Sequence, residues 1–197
     1  EFKILGTSRT DAKVSANHSA FMLFVKKPLD IYQVETDLNL NLPNDICVTR
    51  IEEKDQTFNI INTPKVKEYL YLFAFAQKSH PFCAALMCTF PEDLDLELMM
   101  QGATLFKGKH NFIQYCTKPS PKTNFEREIL VSKIEENTAF KASFFPDKSY
   151  AYRIQSKGFL RYQIRLIMGQ ILKLGRKQIQ LNDIKKSLLG NDSRPFK

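Results

Sequence analysis

Residues 127–155, REILVSKIEENTAFKASFFPDKSYAYRIQ, decide the fold class. Three stretches in this segment read as strands: 127–134, 139–145 and 150–155. No helical pattern separates them, and strands joined without helices pair antiparallel. Upstream, residues 68–76 (EYLYLFAFA) have the same character. Period two puts Tyr69, Tyr71, Phe73 and Phe75 on one face, and Leu70, Leu72 and Ala74 on the other. Further strands are expected at 2–5, at 19–25 (SAFMLFV, buried), at 46–51 and at 112–115. Helices are few. One is expected over 30–38, after Pro28, with Ile31, Val34 and Leu38 on one face. Asp95 can cap a second that runs toward Phe106 and stops at Gly108. A strongly apolar helix is expected over 159–174, stopped by Gly175. A last short one is expected over 183–189, capped by Asn182 and stopped by Gly190. Residues 42–45 read as a turn, and 118–122 as a basic, Pro-rich loop. The class is α+β around an antiparallel sheet. Polarity rises around Asn62-Thr63-Pro64, which places a lobe boundary there: an N-terminal lobe over 1–62 and a C-terminal lobe over 63–197.

The composition is that of a folded globular chain: 197 residues, 43% hydrophobic and 25% charged. It argues against disorder, and no apolar run reaches the roughly 20 residues that a helical membrane span needs. The net charge of +8 attracts polyanions at long range, or is a solvated basic surface with no particular partner. Sixteen Phe and seven Tyr, with no Trp, supply rings for a core and for stacking on bases. The four cysteines are expected as buried free thiols in a reducing compartment. A zinc site from His80, Cys83, Cys88, His110 and Cys116 matches no usual ligand spacing. The three histidines read as surface or satisfied core positions. No phosphate-binding glycine loop, GxSxG or HExxH motif is present.

One polar turn carries chemistry. In Gly6-Thr7-Ser8-Arg9-Thr10-Asp11, Asp11 either closes an Asx turn or offers a carboxylate to a substrate. The segment 6–16 (GTSRTDAKVSA) resembles the signature loop GRTDAGVHA of the TruA-type tRNA pseudouridine synthases. Four further segments resemble that family in the same order. They are 38–46 (LNLNLPNDI), 67–71 (KEYLY), 106–112 (FKGKHNF) and 159–175 (FLRYQIRLIMGQILKLG).

The resemblance implies a two-lobed α+β pseudouridine synthase fold on an antiparallel sheet flanked by helices, with the active-site cleft between the lobes. It implies a synthase that detaches uracil from ribose, turns it and rejoins it through carbon, without a cofactor or metal. Asp11 falls on the family's catalytic aspartate, Arg165 on the helix arginine that pairs with it, and Tyr69 on the tyrosine that stacks on the uracil. By position alone Tyr69 reads first as a core aromatic, since Tyr71, Phe73 and Phe75 share its strand face; the resemblance reverses that. Arg165 would be buried with its turn, Ile164 to Met168. Arg9 matches the arginine that contacts phosphate or fills the gap left by the extruded uridine. Lys13 and Ser15 stand where the family has Gly and His, so Lys13 adds an RNA contact or alters the loop. The implied partners are RNA, foremost tRNA, and a second copy of the chain, with no membrane, in the cytoplasm. The family's opening strand–helix segment and its final GLxL strand have no counterpart here, so a chain with residues omitted at both ends is expected. A second reading is an RNA-binding or RNA-folding paralogue that kept the scaffold and lost turnover. A third is an interaction protein whose basic surface is incidental.

Overall fold

The computed structural model describes residues 2–8, 10–12, 14–63, 65–192 and 196. The chain divides into two units, Glu1–Pro64 and Lys65–Lys197.

In the first unit, β1 (Lys3–Gly6) pairs antiparallel with β2 (Phe21–Phe24), Ile4 opposite Leu23. The expected buried strand over 19–25 is therefore shorter, and it is not buried: Phe21 is 47% and Phe24 41% exposed. Helix α1 (Ile31–Asn41) starts where the sequence indicates. The Asp30 carboxylate accepts the N–H groups of Tyr32 and Gln33 at 3.0 and 3.2 Å, satisfying two donors that an uncapped helix leaves open. The turn at 42–45 is closed by the Ile46 N–H on the Pro43 carbonyl, 2.9 Å. Residues 46–51 form no strand. The Asn39 side chain occupies both backbone groups of Val48, at 2.8 and 2.9 Å, in place of a neighbouring strand.

The second unit is built on a five-stranded sheet of β3 (Lys67–Phe75), β4 (Cys88–Phe90), β5 (Gly108–Asn111), β6 (Glu126–Glu136) and β7 (Tyr150–Ser156). The spatial order is β4-β3-β7-β6-β5. Every pair is antiparallel except β3–β4, whose connection, residues 76–87, is long enough to reverse the chain twice. Helices α2 (Leu96–Thr104), α3 (Gln163–Gly175) and α4 (Leu181–Ser187) complete it. The two faces of β3 are those that period two assigns. Phe73, with Tyr69, Tyr71 and Phe75, joins the main core of Tyr152, Ile154, Met99, Ile167 and Ile171. Leu72 and Ala74 join a smaller cluster with Cys83, Met87, Phe144 and Phe145. The main core holds buried polar chains: Ser132 donates to the Ala103 carbonyl, 2.6 Å, and bonds the Tyr152 hydroxyl, 2.9 Å, and Ser187 donates to the Ile184 carbonyl, 2.7 Å, and bonds the Tyr115 hydroxyl, 2.6 Å. Glycine lets α2 and α3 approach. A Cβ at Gly102 would collide with Leu174, and one at Gly175 would lie 2.6 Å from the Met99 sulfur.

Four local readings are corrected. The strand expected at 112–115 is β5, at 108–111, and Ile113–Tyr115 is a 3₁₀ turn whose first N–H donates to Asn111 Oδ1, 3.0 Å. Residues 139–145 are irregular, because the Asn137 side chain bonds both the N–H and the carbonyl of Phe140. Helix α3 starts at Gln163 rather than at 159. Tyr162 is left-handed (φ 61°), and the Leu160 N–H donates to Gln163 Oε1 at 2.7 Å. Helix α4 is preceded by Gln180, not Asn182, and the Gln180 N–H donates to the Asp183 carboxylate, 2.9 Å. Among the cysteines, Cys83 and Cys116 are buried, but Cys47 and Cys88 are exposed.

Candidate active site

The two residues that the sequence assigns to the second unit are Tyr69, on β3, and Arg165, on α3. Strand β3 presents Tyr69 on the face that meets the main core, opposite Ile154 of β7. Its ring is half-buried and meets Phe159 edge-on, centroids 5.3 Å apart at 90°. Phe159 can turn to it because residues 159–162 are not helical: the left-handed Tyr162 separates this segment from α3.

Arg165 lies on the first turns of α3. Ile167 and Met168 beside it are buried, and Ile164 and Leu166 half-buried, yet Arg165 itself is exposed. The expectation of a buried arginine is thereby corrected: the helix is buried on the opposite stripe. The charge of Arg165 reaches Tyr71, two residues beyond Tyr69 on the same face of β3. Burial pushes the Tyr71 phenol well above its usual range. Its hydrogen bond to Cys88, 2.9 Å, adds to that rise, and Arg165 opposes it. Tyr71 therefore stays a neutral donor, fixed on Cys88 of β4. Sequence reasoning assigned no role to this Tyr71–Cys88 contact, which depends on the parallel β3–β4 pair.

The opposite face of β3 is held by charge. Arg153 of β7 donates to Glu68 and to Glu135, each at 2.6 Å, and Gln155 bonds Glu68 as well. Hydrogen bonding to Gln155 and then to Arg153 holds the Glu68 carboxyl below its usual range. Lys67 is lowered by burial and by the neighbouring Lys65.

Asp11 lies in the first unit, in the loop between β1 and β2, where its carbonyl accepts the Val14 N–H at 3.1 Å and the residue is exposed. Arg9 and Lys13 lie outside the described residues. Of the basic residues near α3, Arg176 pairs with Glu92 at 2.7 Å and lies over the Phe90 ring, and Lys177 reaches Asp95 at 3.3 Å. The Arg161 guanidinium lies 5.7 Å from the ring centre of the exposed Tyr162. His80 Nδ1 accepts the Phe82 N–H, and the His110 ring bonds the Lys107 carbonyl. Among the described residues no group of three or more His, Cys, Asp or Glu gathers as a metal site, and no helix is long and apolar enough to cross a membrane.

The sequence is similar to those of known proteins. The family model for tRNA pseudouridine synthase matches residues 103–196, a span that includes β6, β7 and α3. A tRNA pseudouridine synthase A of Thermodesulfovibrio yellowstonii is 29% identical over 195 residues, covering 95% of this chain and 74% of that protein. A tRNA pseudouridine synthase A 2 of Bacillus thuringiensis is 29% identical over 188 residues, with 95% and 73% covered. A tRNA pseudouridine synthase A of a Geobacillus species is 28% identical over 191 residues, with 96% and 73% covered. In these relatives, as in the five ordered motifs, the chain is similar to the TruA-type tRNA pseudouridine synthases.

Proposed function

We propose that this chain is a tRNA pseudouridine synthase in which Asp11 is the nucleophile. The reaction exchanges one bond for another. The N–C bond from uracil to ribose breaks, a C–C bond from the same ribose carbon to uracil C5 forms, the C5 proton leaves, and the freed ring nitrogen takes up a proton. Nothing is oxidised or reduced. A carboxylate serves as nucleophile only if it stays ionised in a closed site, and a neighbouring cation secures that. Arg165 supplies it: a guanidinium fixes a carboxylate in bidentate geometry, which an ammonium does not. Tyr69 packs on the uracil, its ring braced at the edge by Phe159. Arg9 and Lys13 hold the RNA around an extruded nucleotide, since a base inside a stack must leave it to react. The N-terminal lobe, 1–62, brings the aspartate, and the C-terminal lobe, 63–197, brings the tyrosine and the arginine. A cytoplasmic homodimer completes the reading, on the family resemblance alone.

The observation that carries this reading is the position of Arg165: an exposed cation on a helix whose other residues are buried or half-buried, with its charge acting on the tyrosine-bearing face of β3. The test is pseudouridine mapping on tRNA with the wild-type chain and with Asp11→Ala. The variant is expected to lose at least about a thousandfold in rate while tRNA affinity changes little, because the phosphate contacts remain. Arg165→Lys is expected to turn over poorly as well. Equal turnover by Asp11→Ala overturns its role. A wild-type chain that binds tRNA and modifies none is the non-catalytic RNA-binding paralogue instead.

A further inference from the structure

Gly102 and Gly175 are explained by the neighbours a side chain would strike. Gly169, in the middle of α3, is not: a Cβ built there meets nothing within 4 Å. Glycine inside a helix loses more backbone freedom on folding than alanine and weakens the helix. Packing therefore gives no reason for it, and the space beside it does. Tyr162, Arg165, Leu166 and Gly169 recur at helical spacing and form one wall of an open depression of about 350 Å³. That volume is at the small end of ligand sites, which run roughly 300–1,000 Å³.

The remaining lining is chemically specific. Gln170, only 5% exposed, and Thr117 border the depression, and the Thr117 hydroxyl is buried without a hydrogen-bond partner among the described residues. An unpaired buried hydroxyl is costly, and a ligand that bonds it recovers that cost. Phe196 adds an aromatic ring. At the helix entry the Thr117 N–H donates to the Arg161 carbonyl, 3.2 Å, so the Thr117 segment is tied to the exposed Arg161–Tyr162 pair. Apolar walls, a hydroxyl and an amide inside, and a cation–aromatic pair at the entry suit a flat heteroaromatic ring attached to a phosphate chain. An apolar peptide side chain would leave the Thr117 hydroxyl unpaired. Tyr69 does not line the depression.

We infer that this depression receives a second nucleobase of the same RNA, unstacked and distinct from the uridine that is isomerised, with Thr117 and Gln170 at its polar edge and Arg161 at the adjoining phosphate. The inference rests on the proposed function, which gives RNA as the ligand and sets the catalytic Arg165 on one wall of the depression. Its test is Gly169→Leu, which fills the depression from a position with open space. This variant is expected to melt at or above the wild-type temperature and to bind an unmodified tRNA transcript about tenfold more weakly, a loss on the scale of one stacked base. A set of transcripts, each with one abasic nucleotide, identifies the occupant. One position other than the modified uridine is expected to weaken wild-type binding about tenfold and leave Gly169→Leu binding unchanged. Thr117→Val is expected to lose affinity for the intact transcript and not for that abasic one. If Gly169→Leu binds like wild type, or if no non-target position shows this coupling, the inference falls. Wild-type turnover read alongside keeps the two proposals apart. Coupling without pseudouridine formation overturns the synthase and upholds the subsite. Turnover without coupling does the reverse, and no RNA binding at all overturns both.

Discussion

Two helices of similar length are put to different use. Helix α1 has 11 residues and buries none of them, while α3 has 13 and buries eight. Helix α1 relies on its Asp30 cap and on intrinsic helix formation, which are marginal supports for so short a segment. Helix α3 has no side-chain cap bond at its start, yet it lies within the main core. The same contrast runs through the two units. In the first, Ile60 is the sole buried hydrophobic among the described residues, and the second holds all the others. Order in the first unit is therefore local, and in the second it is collective. In the proposed mechanism the reacting carboxylate belongs to the first kind of order and its cation to the second.

Mutations can break this contrast or sharpen it. The largest expected effect is Phe73→Ala, at a fully buried position in the sheet. It should cost about 3–5 kcal/mol, read by urea unfolding of the second unit. A loss below about 1 kcal/mol would mean that the sheet is not collectively held. A smaller effect is expected from acid. Lys133 first, and then Arg153, hold the Glu135 carboxyl below its ordinary value of 4.5. A lowered folded-state pKa contributes stability that is complete above the unfolded value and is lost as pH falls through the folded one. Melting temperature should thus hold steady from neutral pH down to about 5 and then decline below 4.5, less steeply in Glu135→Gln. Equal slopes in both proteins would remove Glu135 from the account. The smallest effect is Asp30→Ala, about 1 kcal/mol. It should speed amide exchange in α1 about fivefold and leave β6 and β7 unchanged. Exchange from α1 as slow as from α3 before any mutation would erase the contrast itself.

The legible parts of the fold are those with a repeating pattern. The two faces of β3 follow from alternation, and the cap Asp95 from its place before an apolar run. Three of the misread segments share one cause. At 46–51, 112–115 and 139–145 an asparagine side chain bonds backbone groups that a strand would have offered to a neighbour: Asn39, Asn111 and Asn137 in turn. Glutamine does the same at the start of α3, where Gln163 takes the Leu160 N–H. Such bonds compete with regular structure and leave no periodic trace. The candidate site shows the same division. Tyr69 and Arg165 are candidates by motif. The exposure of Arg165, the Tyr71–Cys88 bond and the depression beside Gly169 depend on contacts between elements far apart in sequence.

The order of strands also has a consequence for biosynthesis. Strand β3 meets β4 early, since Phe73 lies opposite Cys88, but its other neighbour is β7, with Lys67 opposite Ser156. At translation rates of roughly 5–20 residues per second, that second partner follows β3 by about 4–18 s. For that interval a strand with a row of tyrosine and phenylalanine rings has an open flank, the kind of edge that recruits other chains. The parallel β4 and the 3₁₀ turn Pro81–Ala85 come from the residues just downstream. They place Cys83 and Met87 against Ala74 from within the same short stretch. This short parallel neighbour serves as a temporary guard on one side of β3 while the ribosome is still making its lasting antiparallel partner.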